Sequence, residues 1–121
     1  MNEKIKILYI DDEEINLELF TYNFTDKYDV ITDCCGLNGL ECLQKNPDVK
    51  VVISDMKMPS MTGLEFISKA KKLYYDKKYY ILTGYDITEE IKLALESKLI
   101  LGYFSKPFNI NEIENAIDRA I

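Results

Sequence analysis

Residues 51–59 read VVISDMKMP, and this stretch decides the fold. The β-branched run from Val51 to Ile53 predicts a buried strand, because such side chains suit a covered, pleated surface. Asp55 follows where that strand is expected to end. Ligands of open parallel α/β sheets bind beyond the carboxyl ends of the strands. Asp55 is therefore a candidate functional residue before any partner for it is found.

Composition predicts one globular domain over residues 1–121, since 47% of the residues are apolar. The net charge of −6 argues against nucleic acid and against an anionic membrane as direct partners. The chain has no histidine, which excludes an imidazole general base and the common zinc sites. We see no leader-like start and no apolar run of the ~18 residues that a membrane span needs, so we expect a cytoplasmic protein.

The cysteines are odd in number and match no zinc or redox spacing; they are Cys34, Cys35 and Cys42. We predict reduced intracellular thiols that act as small hydrophobic side chains.

The hydrophobic pattern alternates between strand and helix five times, with short connections. The predicted strands cover residues 4–10, 29–35, 51–53, 79–84 and 100–105. The predicted helices cover residues 15–24, 37–45 and 64–75, followed by helices capped by Thr88 and Asn109. This order predicts an α/β fold, with a doubly wound five-stranded parallel sheet, right-handed crossovers and helices on both faces.

Polar side chains follow four of the predicted strands: Asp11 and Asp12, Asp55, Thr83, and Lys106. Because parallel strands place their carboxyl ends on one edge of the sheet, we expect these groups to converge. Three carboxylates at close range repel one another unless a cation lies between them. Oxygen ligands without His or Cys favour a hard cation, above all Mg²⁺. Asp11 and Asp12 also have a simpler interpretation, as acids that cap the first helix.

A carboxylate nucleophile, a divalent metal, an ammonium and a hydroxyl are together suited to phosphoryl transfer. Asp55 is the candidate nucleophile, because carboxylates form acyl phosphates. The metal and Lys106 would neutralise charge on the transferring group. Gly84, beside Thr83, leaves the approach open.

The sequence resembles the receiver domains of two-component response regulators along its whole length. The resemblance is carried by motifs at four predicted strand ends: Ile10-Asp11-Asp12-Glu13, Ser54-Asp55-Met56-Lys57-Met58-Pro59 with Met61-Thr62-Gly63, Leu82-Thr83-Gly84, and Tyr103 with Lys106-Pro107-Phe108. It implies the flavodoxin-like strand order 2-1-3-4-5. It also implies a phosphoacceptor signalling module of a phosphorelay, without separate turnover activity.

The resemblance implies a role for each matching residue in the chemistry. Asp55 would accept a phosphoryl group from a sensor histidine kinase or a histidine phosphotransfer protein. Asp12, Asp55 and the backbone carbonyl of Lys57 would bind Mg²⁺ directly, and Asp11 would act mainly through water.

The resemblance also implies a switch at the fourth and fifth strands. Thr83 and Lys106 would contact the phosphoryl oxygens. Thr83 would move inward on phosphorylation and Tyr103 would turn into the vacated space, which changes a surface read by a downstream protein target or effector domain. The Lys106–Pro107 peptide bond is expected to be cis. Long side chains at Lys57 and Tyr85 would shield the acyl phosphate and slow its decay.

Two other functions remain open at this point. The first is a receiver-like interaction domain that works without phosphate, although such a domain has no physical reason to keep uncompensated acids together. The second is a metal-dependent phosphatase that forms a phospho-aspartate. That chemistry usually needs a second acid two residues past the nucleophile, where this chain has Lys57.

Overall fold

A computed structural model describes residues 4–84 and 87–121. Within these ranges five strands alternate with five helices, as predicted. The strands are β1 (Lys6–Ile10), β2 (Asp29–Asp33), β3 (Val51–Asp55), β4 (Lys78–Thr83) and β5 (Gly102–Ser105). The helices are α1 (Glu14–Phe24), α2 (Gly36–Lys45), α3 (Gly63–Leu73), α4 (Glu89–Glu96) and α5 (Ile110–Ala120). In these same ranges no helix has both the length and the apolar character needed to span a bilayer.

The strands form one parallel sheet in the order β2-β1-β3-β4-β5, which confirms the predicted doubly wound, flavodoxin-like fold. The order matters for the site because β1 and β3 are neighbours. Ile10 of β1 pairs with Ser54 of β3, so the residues that follow each of them meet at the same edge.

The sheet separates two hydrophobic cores, because successive side chains of a strand point to opposite faces. One core contains Ile7, Tyr9 and Ile53 of the sheet together with Phe20 of α1 and Ile113 of α5. The other contains alternate residues of the same strands, packed against α2, α3 and α4. Strands covered on both faces explain the nearly continuous apolar runs of β1 and β3.

Side-chain caps start four of the helices. Thr88 and Asn109 cap α4 and α5, as predicted. Thr62 caps α3 in a reciprocal pair with Glu65, and the Sγ atom of Cys35 caps α2. The cap at α1 differs, because Glu13 is the N-cap residue and its side chain makes no cap bond. The alternative interpretation of Asp11 and Asp12 as cap residues of this helix therefore does not hold.

Several element boundaries differ from the sequence prediction by one or two residues. Helix α3 ends at Leu73 because Tyr74 leaves helical geometry at φ −133° and ψ 69°. Strand β2 ends at Asp33, before the predicted Cys35. Strand β5 begins at Gly102 and not at the predicted Ile100, whose amide still donates to the Ala94 carbonyl of α4.

The cysteines are free thiols, but only Cys42 is a buried apolar side chain. Cys34 is exposed and Cys35 is a helix cap, so the prediction of small hydrophobic side chains was wrong for these two. Both lie in the connection between β2 and α2, at the surface of the molecule.

Candidate functional site

The acids predicted to converge do so at the carboxyl edge of the sheet. Asp11 and Asp12 follow the last residue of β1, and Asp55 is the last residue of β3. Each of the three offers a carboxylate oxygen, and these oxygens lie within 4.8 Å of one another. The amide of Asp11 donates to the Asp33 carbonyl at 3.2 Å, which fixes the backbone just beyond β1.

Lys106 brings a positive charge to this cluster from the loop after β5. Its Nζ atom lies 3.1 Å from Oδ1 of Asp55 and 3.3 Å from Oδ2 of Asp11. Its amide donates to the Thr83 carbonyl at 2.8 Å, which ties the lysine to the end of β4. The Lys106–Pro107 peptide bond is cis, in agreement with the expectation.

Burial differs among the three acids. Asp11 is 0% exposed and Asp55 is 5% exposed, whereas Asp12 is open to solvent. Burial raises the pKa of Asp55, and the charges of Asp11 and Asp12 raise it further against the opposing effect of Lys106. Burial alone would lower the pKa of Lys106, but its contacts with Asp55 and Asp11 raise it overall. The lysine therefore stays charged, while Asp55 is a carboxylate held at a cost in free energy.

Sequence reasoning missed Tyr9, which belongs to the site. Its hydroxyl donates to Oδ2 of Asp11 at 2.6 Å. Burial and this bond to Asp11 raise the pKa of Tyr9, so the hydroxyl stays a donor. The signal was present in the sequence, since residues two apart in a strand point to the same face.

The loop after β3 is shaped by two backbone requirements. Gly63 donates to the Met56 carbonyl at 2.8 Å, and a Cβ atom on Gly63 would lie 2.2 Å from the carbonyl oxygen of Asp55. Ser60 has φ 69°, in the left-handed region that glycine favours. The Ser54 hydroxyl donates to the carbonyl of Asp55 at 2.9 Å. Together these contacts hold the acid at the end of its strand.

Of the remaining predicted residues, Thr83, Lys57 and Tyr103 lie in the described part of the chain. Thr83 is buried at the end of β4, next to the neighbouring strand end at Asp55. Lys57 is exposed, two residues beyond Asp55. Tyr103 is 36% exposed and pairs with Ile81, whose side chain lies on the same face of the sheet as that of Thr83. Tyr85 lies outside the described residues.

Comparison with known proteins decides the family. The model of the response regulator receiver domain matches residues 7–118. The chain belongs to this family. Receiver domains are the phosphoacceptor signalling modules of two-component systems, and they have no separate catalytic activity. A receiver-like domain that works without phosphate is not favoured.

Individual receiver proteins resemble the chain over nearly its whole length. Sporulation initiation phosphotransferase F of Bacillus subtilis is 32% identical, over 98% of this chain and 94% of that protein. A chemotaxis protein CheY homolog of Campylobacter jejuni is 30% identical, over 94% of this chain and 90% of that protein. The structure of chemotaxis protein CheY4 of Vibrio cholerae superimposes with a TM-score of 0.88 at 28% identity, over 98% of this chain and 99% of that one.

Proposed function

We propose that Asp55 is the phosphoacceptor and that its donor is the phosphohistidine of a sensor kinase or of a histidine phosphotransfer protein. One observation carries this proposal: the buried Asp55 carboxylate lies 3.1 Å from Lys106 Nζ, within the group of three acids. An oxygen of Asp55 forms a bond to phosphorus, while the bond from phosphorus to the histidine nitrogen breaks and the imidazole leaves with the electron pair. Residues 1–121 act in this transfer as one cytoplasmic receiver domain.

The donor set suits Mg²⁺, because it consists of hard carboxylate oxygens held close together. Asp55 and the exposed Asp12 would bind the ion directly, together with the backbone carbonyl of Lys57. Asp11 would act through water, since both of its oxygens already accept hydrogen bonds from the protein. A bound Mg²⁺ would neutralise charge on the phosphoryl oxygens.

Lys106 and Thr83 hold the transferred group. The ammonium of Lys106 already contacts Asp55 and stabilises the negative charge that develops on the phosphoryl oxygens. The hydroxyl of Thr83 comes from the neighbouring strand end and donates to one of these oxygens. The domain thus promotes its own phosphorylation and dephosphorylation, and shielding by Lys57 and Tyr85 slows the loss of phosphate.

The signal leaves the domain through Tyr103. Its position on β5, on the same face as Thr83, supports a coupled movement in which Thr83 turns toward the phosphoryl group and Tyr103 turns inward. Two apolar side chains near β5 in the sequence are exposed: Leu93 of α4, and Leu101, which directly precedes β5. We assign the surface of α4, β5 and α5 to a downstream protein target or effector domain.

The donor protein approaches across α1 and the first residue of α5. Leu19 of α1 and Ile110 of α5 are exposed and line a groove whose wall includes Lys106. Ile15 lies one turn before Leu19 and is also exposed. These apolar side chains beside the acid cluster support docking of a kinase or phosphotransfer protein there.

The test is intact-protein mass spectrometry after incubation with acetyl phosphate and Mg²⁺. The native chain should gain one phosphoryl group, and Asp55→Ala should gain none. Asp26→Ala is the matched control, because Asp26 is exposed and lies in the turn before β2. A native chain that gains no phosphate, or an Asp55→Ala chain that gains as much as the control, would refute the proposal.

A further inference from the structure

Tyr9 makes a short contact to the acid cluster, and the mechanism above gives it no role. Its hydroxyl lies 2.6 Å from Oδ2 of Asp11, closer than the 3.3 Å of Lys106 Nζ to the same oxygen. Its ring is 1% exposed and stacks on Phe20, with centroids 4.3 Å apart. The donor is therefore held by a rigid, packed ring rather than by a flexible chain.

Asp11 depends on the Tyr9 hydroxyl because Lys106, which also contacts its Oδ2 atom, is shared with Asp55. The amide of Glu13 satisfies Oδ1 at 2.9 Å, and Oδ2 accepts from Tyr9 and Lys106. Lys106 also binds Asp55, and in the proposed reaction it turns toward the phosphoryl oxygens. A wholly buried carboxylate that loses a charged donor is costly unless another donor remains.

We propose that Tyr9 is a positioning residue, whose hydroxyl fixes the Asp11 carboxylate for Mg²⁺ binding while Lys106 serves Asp55. This inference rests on the proposed function. Tyr9 is neutral, so it satisfies Asp11 without adding a second cation that would compete with Mg²⁺. Groups that orient a metal-binding carboxylate by hydrogen bonding are part of the metal site, although they do not touch the metal.

The test compares two substitutions that each remove one hydroxyl from a buried tyrosine. Tyr9→Phe keeps the ring and removes the bond to Asp11. Tyr79→Phe is the matched control, because Tyr79 is equally buried and donates at 2.7 Å to the Tyr74 carbonyl, away from the acids. Mg²⁺ binding is measured by isothermal titration calorimetry, and the amide shifts of Asp12 and Asp55 are followed by NMR.

We expect Tyr9→Phe to raise the Mg²⁺ dissociation constant about tenfold, the usual scale for losing such an outer contact. Tyr79→Phe should stay within a factor of about two. The Mg²⁺ concentration that gives half the maximal phosphorylation rate should rise in Tyr9→Phe by the same factor as the dissociation constant. If both variants change equally, or if neither changes, Tyr9 has only a structural role.

The two proposals fail separately. A native chain that binds Mg²⁺ but accepts no phosphate contradicts the proposed function, and the calorimetric comparison still decides whether Tyr9 positions Asp11. A native chain that is phosphorylated, with the same Mg²⁺ affinity in Tyr9→Phe, contradicts only the role of Tyr9.

Discussion

At the carboxyl end of the sheet Lys106 lies between the buried carboxylates of Asp11 and Asp55, whereas at the amino end Lys77 is buried among backbone carbonyls. Lys77 Nζ donates to the carbonyls of Pro47 and Val49 at 2.9 and 2.7 Å. Burial lowers the pKa of Lys77, while the acids around Lys106 raise its pKa despite burial. The same residue type therefore joins backbone segments at one end of the sheet and contacts the acid cluster at the other.

The acids show the same contrast. Asp48 at the amino end pairs with Lys6 at 2.8 Å in partly exposed surroundings, so its charge is balanced locally. At the carboxyl end three carboxylates lie close together, and Lys106 contacts two of them, Asp11 and the buried Asp55. The charge of Asp48 is therefore met by its own lysine, whereas the carboxyl end holds a group of acids of the kind that suits a divalent cation.

The largest difference between the ends should appear in the phosphorylation rate. Lys106→Met removes the ammonium beside Asp55, and we expect phosphorylation by acetyl phosphate to slow about 100-fold, as for loss of a preorganised electrostatic contact. Lys77→Met, the matched change at the amino end, should alter the rate less than about twofold, although it leaves the carbonyls of Pro47 and Val49 without this donor. Time-resolved mass spectrometry measures both rates. Equal slowing in the two variants would show that the lysines act only through stability.

The next largest effect concerns the free energy of unfolding at neutral pH. Removing an acid should raise it at the carboxyl end of the sheet and lower it at the amino end. Because the folded-state pKa of Asp55 is raised, the folded protein binds this proton more tightly than the unfolded chain does. Native stability therefore falls as pH rises from the ordinary carboxyl pKa through the raised value, and the full cost is present at neutral pH. Asp55→Asn should raise the free energy of unfolding there by roughly 1 kcal/mol.

Asp48→Asn is the contrasting change. The bond to Lys6 lowers the pKa of Asp48, so its contribution is present above the ordinary carboxyl pKa and is lost as pH falls through the lowered value. This variant should be slightly less stable than the native protein at neutral pH. Urea unfolding at neutral and acidic pH measures both variants. A destabilised Asp55→Asn protein would mean that the carboxyl end is as well balanced as the amino end.

The smallest effect concerns backbone strain, which occurs at both ends. Ser60, in the loop after β3, has φ 69°, and Lys98, in the turn after α4, has φ 64°. Ser60→Gly and Lys98→Gly should each stabilise the fold by about 0.5 kcal/mol, because relief of left-handed strain slightly exceeds the added freedom of the unfolded chain. Thermal unfolding measures both. If only Ser60→Gly lowers the phosphorylation rate, the strain in the loop after β3 serves the site; equal rates in the two variants would assign it to loop closure alone.

The alternation of strands and helices could be predicted from hydrophobic periodicity, and the strand order from the resemblance to receiver domains. Because parallel strands share a carboxyl edge, these two together predicted that Asp12, Asp55 and Lys106 would approach one another. The reciprocal cap of Thr62 and Glu65 was also readable, since the residues stand three apart before an apolar run. It was overlooked because the helix was predicted from residue 64 and no cap residue was sought before it.

Other features depend on packing that periodicity does not encode. The burial of Asp11 beside an exposed Asp12 arises from Tyr9, Lys106 and the neighbouring backbone closing around one of two adjacent acids. The capping role of Cys35 was not expected, because cysteine is not among the usual cap residues. The left-handed backbone of Ser60 follows from closure of the loop between Met56 and Gly63, which only the folded chain defines.

The contact between Lys106 and Asp11 joins residues 95 positions apart. During translation the acids therefore leave the ribosome long before the lysine that balances them. A chain arrested before Lys106 lacks the contacts of this lysine with Asp11 and Asp55, so the repulsion between these two carboxylates is less compensated. The acid cluster gains this lysine only when the loop after β5 lies beside the end of β4, once synthesis has passed β5.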